Sequence, residues 1–145
     1  HYYQYAKDLL TTHFTNLYNK GTRKAVIYGT GQLAEITYLS LLDSPLKLHS
    51  ILSDDPASSK KKFLGHEVLT LSDFAQKISQ TPTPENLIIF STVSQEKNEK
   101  GKGHKHKEEE KDKTVTLETE IKKYKNIPKN IQIINLESIL KNVKG

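Results

Sequence analysis

The chain has 145 residues, of which 34% are hydrophobic and 27% charged, with a formal net charge of +5 and no cysteine. That length suits one domain built on one core, and the missing cysteine excludes disulfides, thiolate catalysis and cysteine-based zinc sites. No apolar run approaches the roughly 18 residues of a membrane span, and the aromatic, polar start lacks the apolar core of a signal peptide, so the expectation is a cytoplasmic protein.

The chain opens on His1 rather than Met, which reads as a domain cut from something longer. Residues 2–20 are predicted to form an amphipathic helix: Tyr2, Tyr5, Leu9, Leu10, Phe14, Leu17 and Tyr18 approximate one stripe, and Gly21 supplies the stop. The segment 1–21 is therefore set apart as a connector or dimerisation helix, with one edge expected on the domain and the rest on a symmetry mate. Packing against the sheet alone is the other reading. Residues 22–145 form the domain proper.

Residues 23–28 read as a first strand that runs into Gly29-Thr30-Gly31, after which Leu33, Ala34, Ile36 and Leu39 recur at helical spacing. Strand, glycine turn and helix open a doubly wound nucleotide-binding sheet. Gly29 would permit the tight turn, Gly31 the close approach of a phosphate, and Ala34 the packing of helix on sheet. The helix start would offer unpaired N–H groups and partial positive charge to an anion. Gly29, Thr30, Gly31, Gln32 and Leu33 are accordingly candidate ligand contacts.

Residues 46–52 alternate as a second strand ending in Ser53-Asp54-Asp55-Pro56. An acidic residue roughly 20 positions beyond the glycines is where such folds hold a ribose hydroxyl pair, which makes Asp54 and Asp55 candidates. The same residues are equally apt for a plain Asp-Asp-Pro turn. Phe63-Leu64-Gly65-His66-Glu67-Val68 reads as a tight turn into a very short strand. Leu71, Phe74, Ala75 and Ile78 space as a helix capped by Thr70 or Ser72. Residues 81–84 break the chain. Leu87-Ile88-Ile89-Phe90 should be a central strand covered on both faces, with Ser91 and Thr92 at its carboxyl end, either touching a ligand or simply ending the strand.

Residues 95–113 contain no large apolar side chain and are expected to be a mobile charged insertion. Its His104 and His106 lack further ligands for a metal site, and none is expected. Leu117, Ile121 and Tyr124 suggest a helix, residues 131–135 a last strand and 136–143 a terminal helix. Lysines crowd the two chain ends while 25–94 is slightly acidic. A nucleic-acid surface shows a basic stripe with a reading motif, so solvated surface is expected rather than nucleic-acid binding. The fold expected is α/β, a Rossmann-like doubly wound parallel sheet of four to five strands in the order 3-2-1-4-5.

The pattern formed by Val26–Ala34, Ser53–Asp55 and Phe63–Val68 resembles the N-terminal domains of sugar O-acyltransferases of the bacillosamine and sialic-acid type. It is also similar to Rossmann-like domains appended to winged-helix regulators and to sugar methyltransferases. The resemblance covers roughly residues 22–92. It implies a nucleotide sugar or NAD as ligand, held by Gly29, Thr30, Gly31, Asp54 and Asp55, in an accessory or sensory role in carbohydrate biosynthesis or its regulation. No hexapeptide-repeat helix follows, so acyl transfer does not carry over. The alternatives are an NAD-dependent oxidoreductase or epimerase-like enzyme, against which stands the missing Tyr-x-x-x-Lys pair, and an interaction module without ligand.

Overall fold

The computed structural model of the chain describes residues 2–55, 57–58, 61–80, 86–93, 117–128 and 131–144. The expected insertion at 95–113, its two histidines and the break at 81–84 lie outside them. The elements are α1 (Tyr2–Asn19), β1 (Lys24–Tyr28), α2 (Gln32–Leu42), β2 (Lys47–Leu52), β3 (Lys62–Phe63), β4 (His66–Leu69), α3 (Leu71–Gln80), β5 (Leu87–Ser91), α4 (Leu117–Ile121), β6 (Gln132–Asn135) and α5 (Leu136–Lys144).

The strands form one sheet in the order β3-β4-β2-β1-β5-β6. Pairings β4–β2, β2–β1, β1–β5 and β5–β6 are parallel, which is the expected order with the third strand realised as β4. The expectation of four to five strands is corrected to six among the described residues. The added strand, β3, pairs antiparallel with β4. Its cause is local: Leu64 and Gly65 both take positive φ, 54° and 84°, as a two-residue hairpin turn requires.

Alternate strand residues feed two cores. Ala25, Ile27, Ile51, Ile88 and Phe90 pack with α1, α2 and α5 on one face; Val26, Leu52 and Ile89 pack with α3 and α4 on the other. Strands covered on both faces read as continuous apolar runs, which is what 87–90 and 25–27 are. The helix α1 belongs to the first core through Ala6, Leu10 and Phe14, all fully buried, and Phe14 stacks on Phe90 with ring centroids 4.5 Å apart. Lys7 and Asp43 form an ion pair between α1 and α2. Tyr2 and Tyr5, expected on the buried stripe, are instead 57% and 47% exposed. Ala6, one turn before Leu10, takes the place assigned to Tyr5.

The buried side of α2 also differs from expectation. Ala34, Ile36, Thr37, Ser40 and Leu41 are buried while Leu33 and Leu39 are half-buried. Small residues let α2 approach both α1 and the sheet. The two hydroxyls are satisfied within the helix: Thr37 donates to Leu33 O at 2.7 Å and Ser40 to Ile36 O at 2.8 Å. The helix expected from Leu117, Ile121 and Tyr124 is shorter than Tyr124 implied. It stops at Ile121, and Tyr124 lies in the turn that follows. No helix among the described residues is long and apolar enough to cross a membrane.

Candidate functional site

The glycine turn sits where the sheet changes direction. The chain leaves β1 with β2 on one side and β5 on the other, and both neighbours hold the turn. Gly29 N–H donates to Leu52 O at 2.8 Å, and Thr92 N–H donates to Tyr28 O at 3.0 Å. Ligands of open α/β sheets collect at such a switch point, beyond the carboxyl ends of the strands.

The two glycines do different work. Gly29 is buried with φ +126°, and a Cβ there would fall 2.2 Å from Thr92 Oγ1 and 3.2 Å from Val93 Cγ2. It is a packing glycine. The Thr92 hydroxyl that fills this space donates to Tyr28 O at 2.9 Å. Gly31 is the N-cap of α2, exposed, with ordinary extended backbone (φ −95°, ψ −158°). A Cβ there would meet nothing within 4 Å. Among the described residues no side chain caps the first turn of α2, so the N–H groups of Gln32 and Leu33 have no capping acceptor, with the helix dipole behind them. Beside Gln32 and Leu33 lies a cavity of about 440 Å³ bounded by α1, α2 and α5, with Tyr2, Tyr3 and Leu140 in its wall.

The loop after β2 folds back towards this turn. Ser58 Oγ is 3.2 Å from Thr30 Oγ1. Asp55 Oδ1 accepts Ala57 N–H at 3.1 Å, and Ser53 Oγ accepts Asp55 N–H at 3.1 Å, local side-chain-to-backbone bonds of the kind Asp and Ser make in turns. Asp54 is exposed, but Oδ1 accepts Leu71 N–H at 3.3 Å, at the start of α3. Its Oδ2 lies 3.5 Å from the Tyr28 hydroxyl. Burial pushes that hydroxyl up to about 12, helped by the negative charge and hydrogen bond of Asp54 and by Glu120. Tyr28 therefore stays protonated and donates.

Gly29, Thr30, Gly31, Gln32 and Leu33 thus form one turn, Thr92 packs beneath it, and Asp54 and Asp55 lie at the end of the adjoining strand. Ser91 is only 1% exposed, in register with Tyr28 and Asn135. Its Oγ has no hydrogen-bond partner among the described residues, and it lies under the surface rather than in the crevice. Tyr28 and Ser58 were not foreseen as site residues. Tyr28 is read as a strand position, and its contact with Asp54 spans two strands. Ser58 lies in a polar loop whose path no periodicity reveals. No cluster of three or more His, Asp or Glu side chains fit to hold a metal occurs among the described residues.

No family model matches the chain, and no curated protein matches it. Solved structures similar to it include RSP, a Rex-family repressor, at 18% identity over 92% of this chain and 61% of that one, with a TM-score of 0.45. RSP in complex with β-NADH matches at 20% identity, covering 85% of this chain and 58% of that one, with a TM-score of 0.45. RSP in complex with β-NAD+ and operator DNA matches at 20% identity, covering 88% and 59%, with a TM-score of 0.46. The chain spans about three fifths of the length of these structures, and similarity of this degree assigns it to no family.

Proposed function

We propose that this chain is a dinucleotide-binding domain whose ligand, NAD(H) in the first instance, lays its linked phosphates on the turn Gly29–Leu33. The observation that carries the reading is the bare start of α2: an exposed glycine N-cap, no capping side chain and open space above it, at the switch point of the sheet. Charge and hydrogen-bond donors there suit a pyrophosphate. The adjoining cavity of about 440 Å³ has the size of a small-molecule pocket. Asp54 and Asp55 keep exposed carboxylates that would accept ribose hydroxyls and repel a 2′-phosphate. A nucleotide sugar shares the linked phosphates and is the second ligand class, in keeping with the resemblance to carbohydrate-biosynthetic domains.

Calorimetric titration of the intact chain with NADH, NAD+, NADP+ and a UDP-sugar tests this. NADH or NAD+ should bind more tightly than NADP+, and ligand at 100 times its Kd should add about 2.7 kcal/mol of stability. Gly31→Val should abolish binding while leaving the free protein folded, since its Cβ meets nothing within 4 Å and valine at an N-cap costs only about 1 kcal/mol. Binding that survives Gly31→Val, or no response to any of the four nucleotides, sinks the proposal.

A further inference from the structure

We propose that β6 is the seam of a two-fold dimer, pairing antiparallel with β6 of a second copy of this chain. The two ends of the sheet are built differently. At one end β3 has two residues, Lys62–Phe63, and Lys61 precedes it. A very short strand flanked by lysine is a common way to keep an edge from pairing. At the other end β6 has four residues, Gln-Ile-Ile-Asn, with neither Lys nor Pro. It pairs with β5 on one side, and among the described residues no strand pairs with its other side. Ile133 and Ile134 point to opposite faces and both remain half-buried.

Beside this edge runs a groove of about 290 Å³ lined by Glu118, Ile121, Lys122, Ile127, Ile131 and Ile133. Its floor is four isoleucines and its rim carries one acid and one base, a helical turn apart on α4 and its extension. Both are exposed. Among the described residues the nearby ion pair is made by Lys123 and Glu120, and none involves Glu118 or Lys122. A rim with one charge of each sign is complementary to itself under a two-fold axis: Glu118 of one copy meets Lys122 of the second, and the reverse. This charge pattern selects a second copy over an unrelated peptide. Strand pairing supplies main-chain hydrogen bonds, and the isoleucines fill the facing groove.

Sedimentation of the full chain at micromolar concentration should show a dimer. Glu118→Lys and Lys122→Glu should each lose it, since the first sets lysine against lysine and the second glutamate against glutamate. An equimolar mixture of the two variants should regain the dimer, because each then supplies the charge the other lacks. A change that merely disturbed α4 within one chain would not be rescued in trans. A monomeric intact chain, a mixture that stays monomeric, or a dimer that survives both single changes but is lost in Tyr5→Glu overturns the proposal, the last by moving the seam to α1.

Discussion

Among the described residues three helices begin where a parallel strand ends, and the first turns of two of them, α2 and α3, are finished in opposite ways. At α3, Thr70 Oγ1 accepts Asp73 N–H at 3.0 Å while Asp73 Oδ2 accepts Thr70 N–H at 3.2 Å, a reciprocal capping box with Asp in the usual Glu or Gln place. Asp54, arriving from the end of β2, takes Leu71 N–H as well. At α2 the corresponding position is Gly31, with no side chain to offer. Glycine at an N-cap forgoes only a few tenths of a kcal/mol (roughly) against the best capping residues. The bare end is therefore cheap to keep, and it leaves the donors of α2 for a ligand while those of α3 are consumed by the fold. One helix start is closed by the chain and the other is left open.

The largest expected effect lies beneath the open end. Gly29→Ala forces a Cβ into the space of the Thr92 hydroxyl at φ +126°. Backbone strain of roughly 1–3 kcal/mol and overpacking of similar size should together lower unfolding stability by roughly 2–6 kcal/mol in urea titration. Adding Thr92→Ala should recover the part due to the clash and not the part due to φ. An unchanged urea midpoint for Gly29→Ala would show that the turn is not held as described.

At the closed end, Thr70→Ala should cost about 1 kcal/mol and leave nucleotide titrations unchanged, since α3 is capped for stability alone. Asp54 stands between the two ends. Asp54→Ala should destabilise through the lost acceptor for Leu71, whereas Asp54→Asn keeps an oxygen for that N–H. Any loss of discrimination between NAD+ and NADP+ in Asp54→Asn then belongs to the ligand. If Asp54→Asn binds both nucleotides as the native chain does, this carboxylate serves α3 only.

The strand order, the glycine turn and the doubly covered runs at 25–27 and 87–90 were legible because each rests on local chemistry: glycine at a strand end, period two or unbroken apolarity, breakers between. The β3 strand was hidden because it depends on Leu64 adopting positive φ, which leucine rarely does. The stripe on α1 was misplaced at Tyr2 and Tyr5 because apolar size outweighed geometry. A small alanine at position 6 fits against α2, and large tyrosines do not need to. The double duty of Asp54 was not legible at all. Its partners, Tyr28 and Leu71, lie 26 and 17 residues away in the chain and meet it only once β1, β2 and the start of α3 are assembled.

The smallest effect is the sharpest test of the comparison. Gly31→Asp would give α2 the side-chain acceptor that α3 already has. The backbone at position 31 is extended, as an N-cap should be, and the new side chain would enter open space. Its carboxylate would sit at the positive end of the helix dipole. The free protein should therefore gain about 0.3–1 kcal/mol, read as a small rise in melting temperature. The same carboxylate would occupy the donors meant for phosphate and repel it, so NADH titration should show no binding. Stability up and binding gone is the pattern expected of an end kept open for a ligand. A variant that is more stable and still binds NADH would mean that the nucleotide approaches the crevice elsewhere, and that the bare start of α2 is only an uncapped helix.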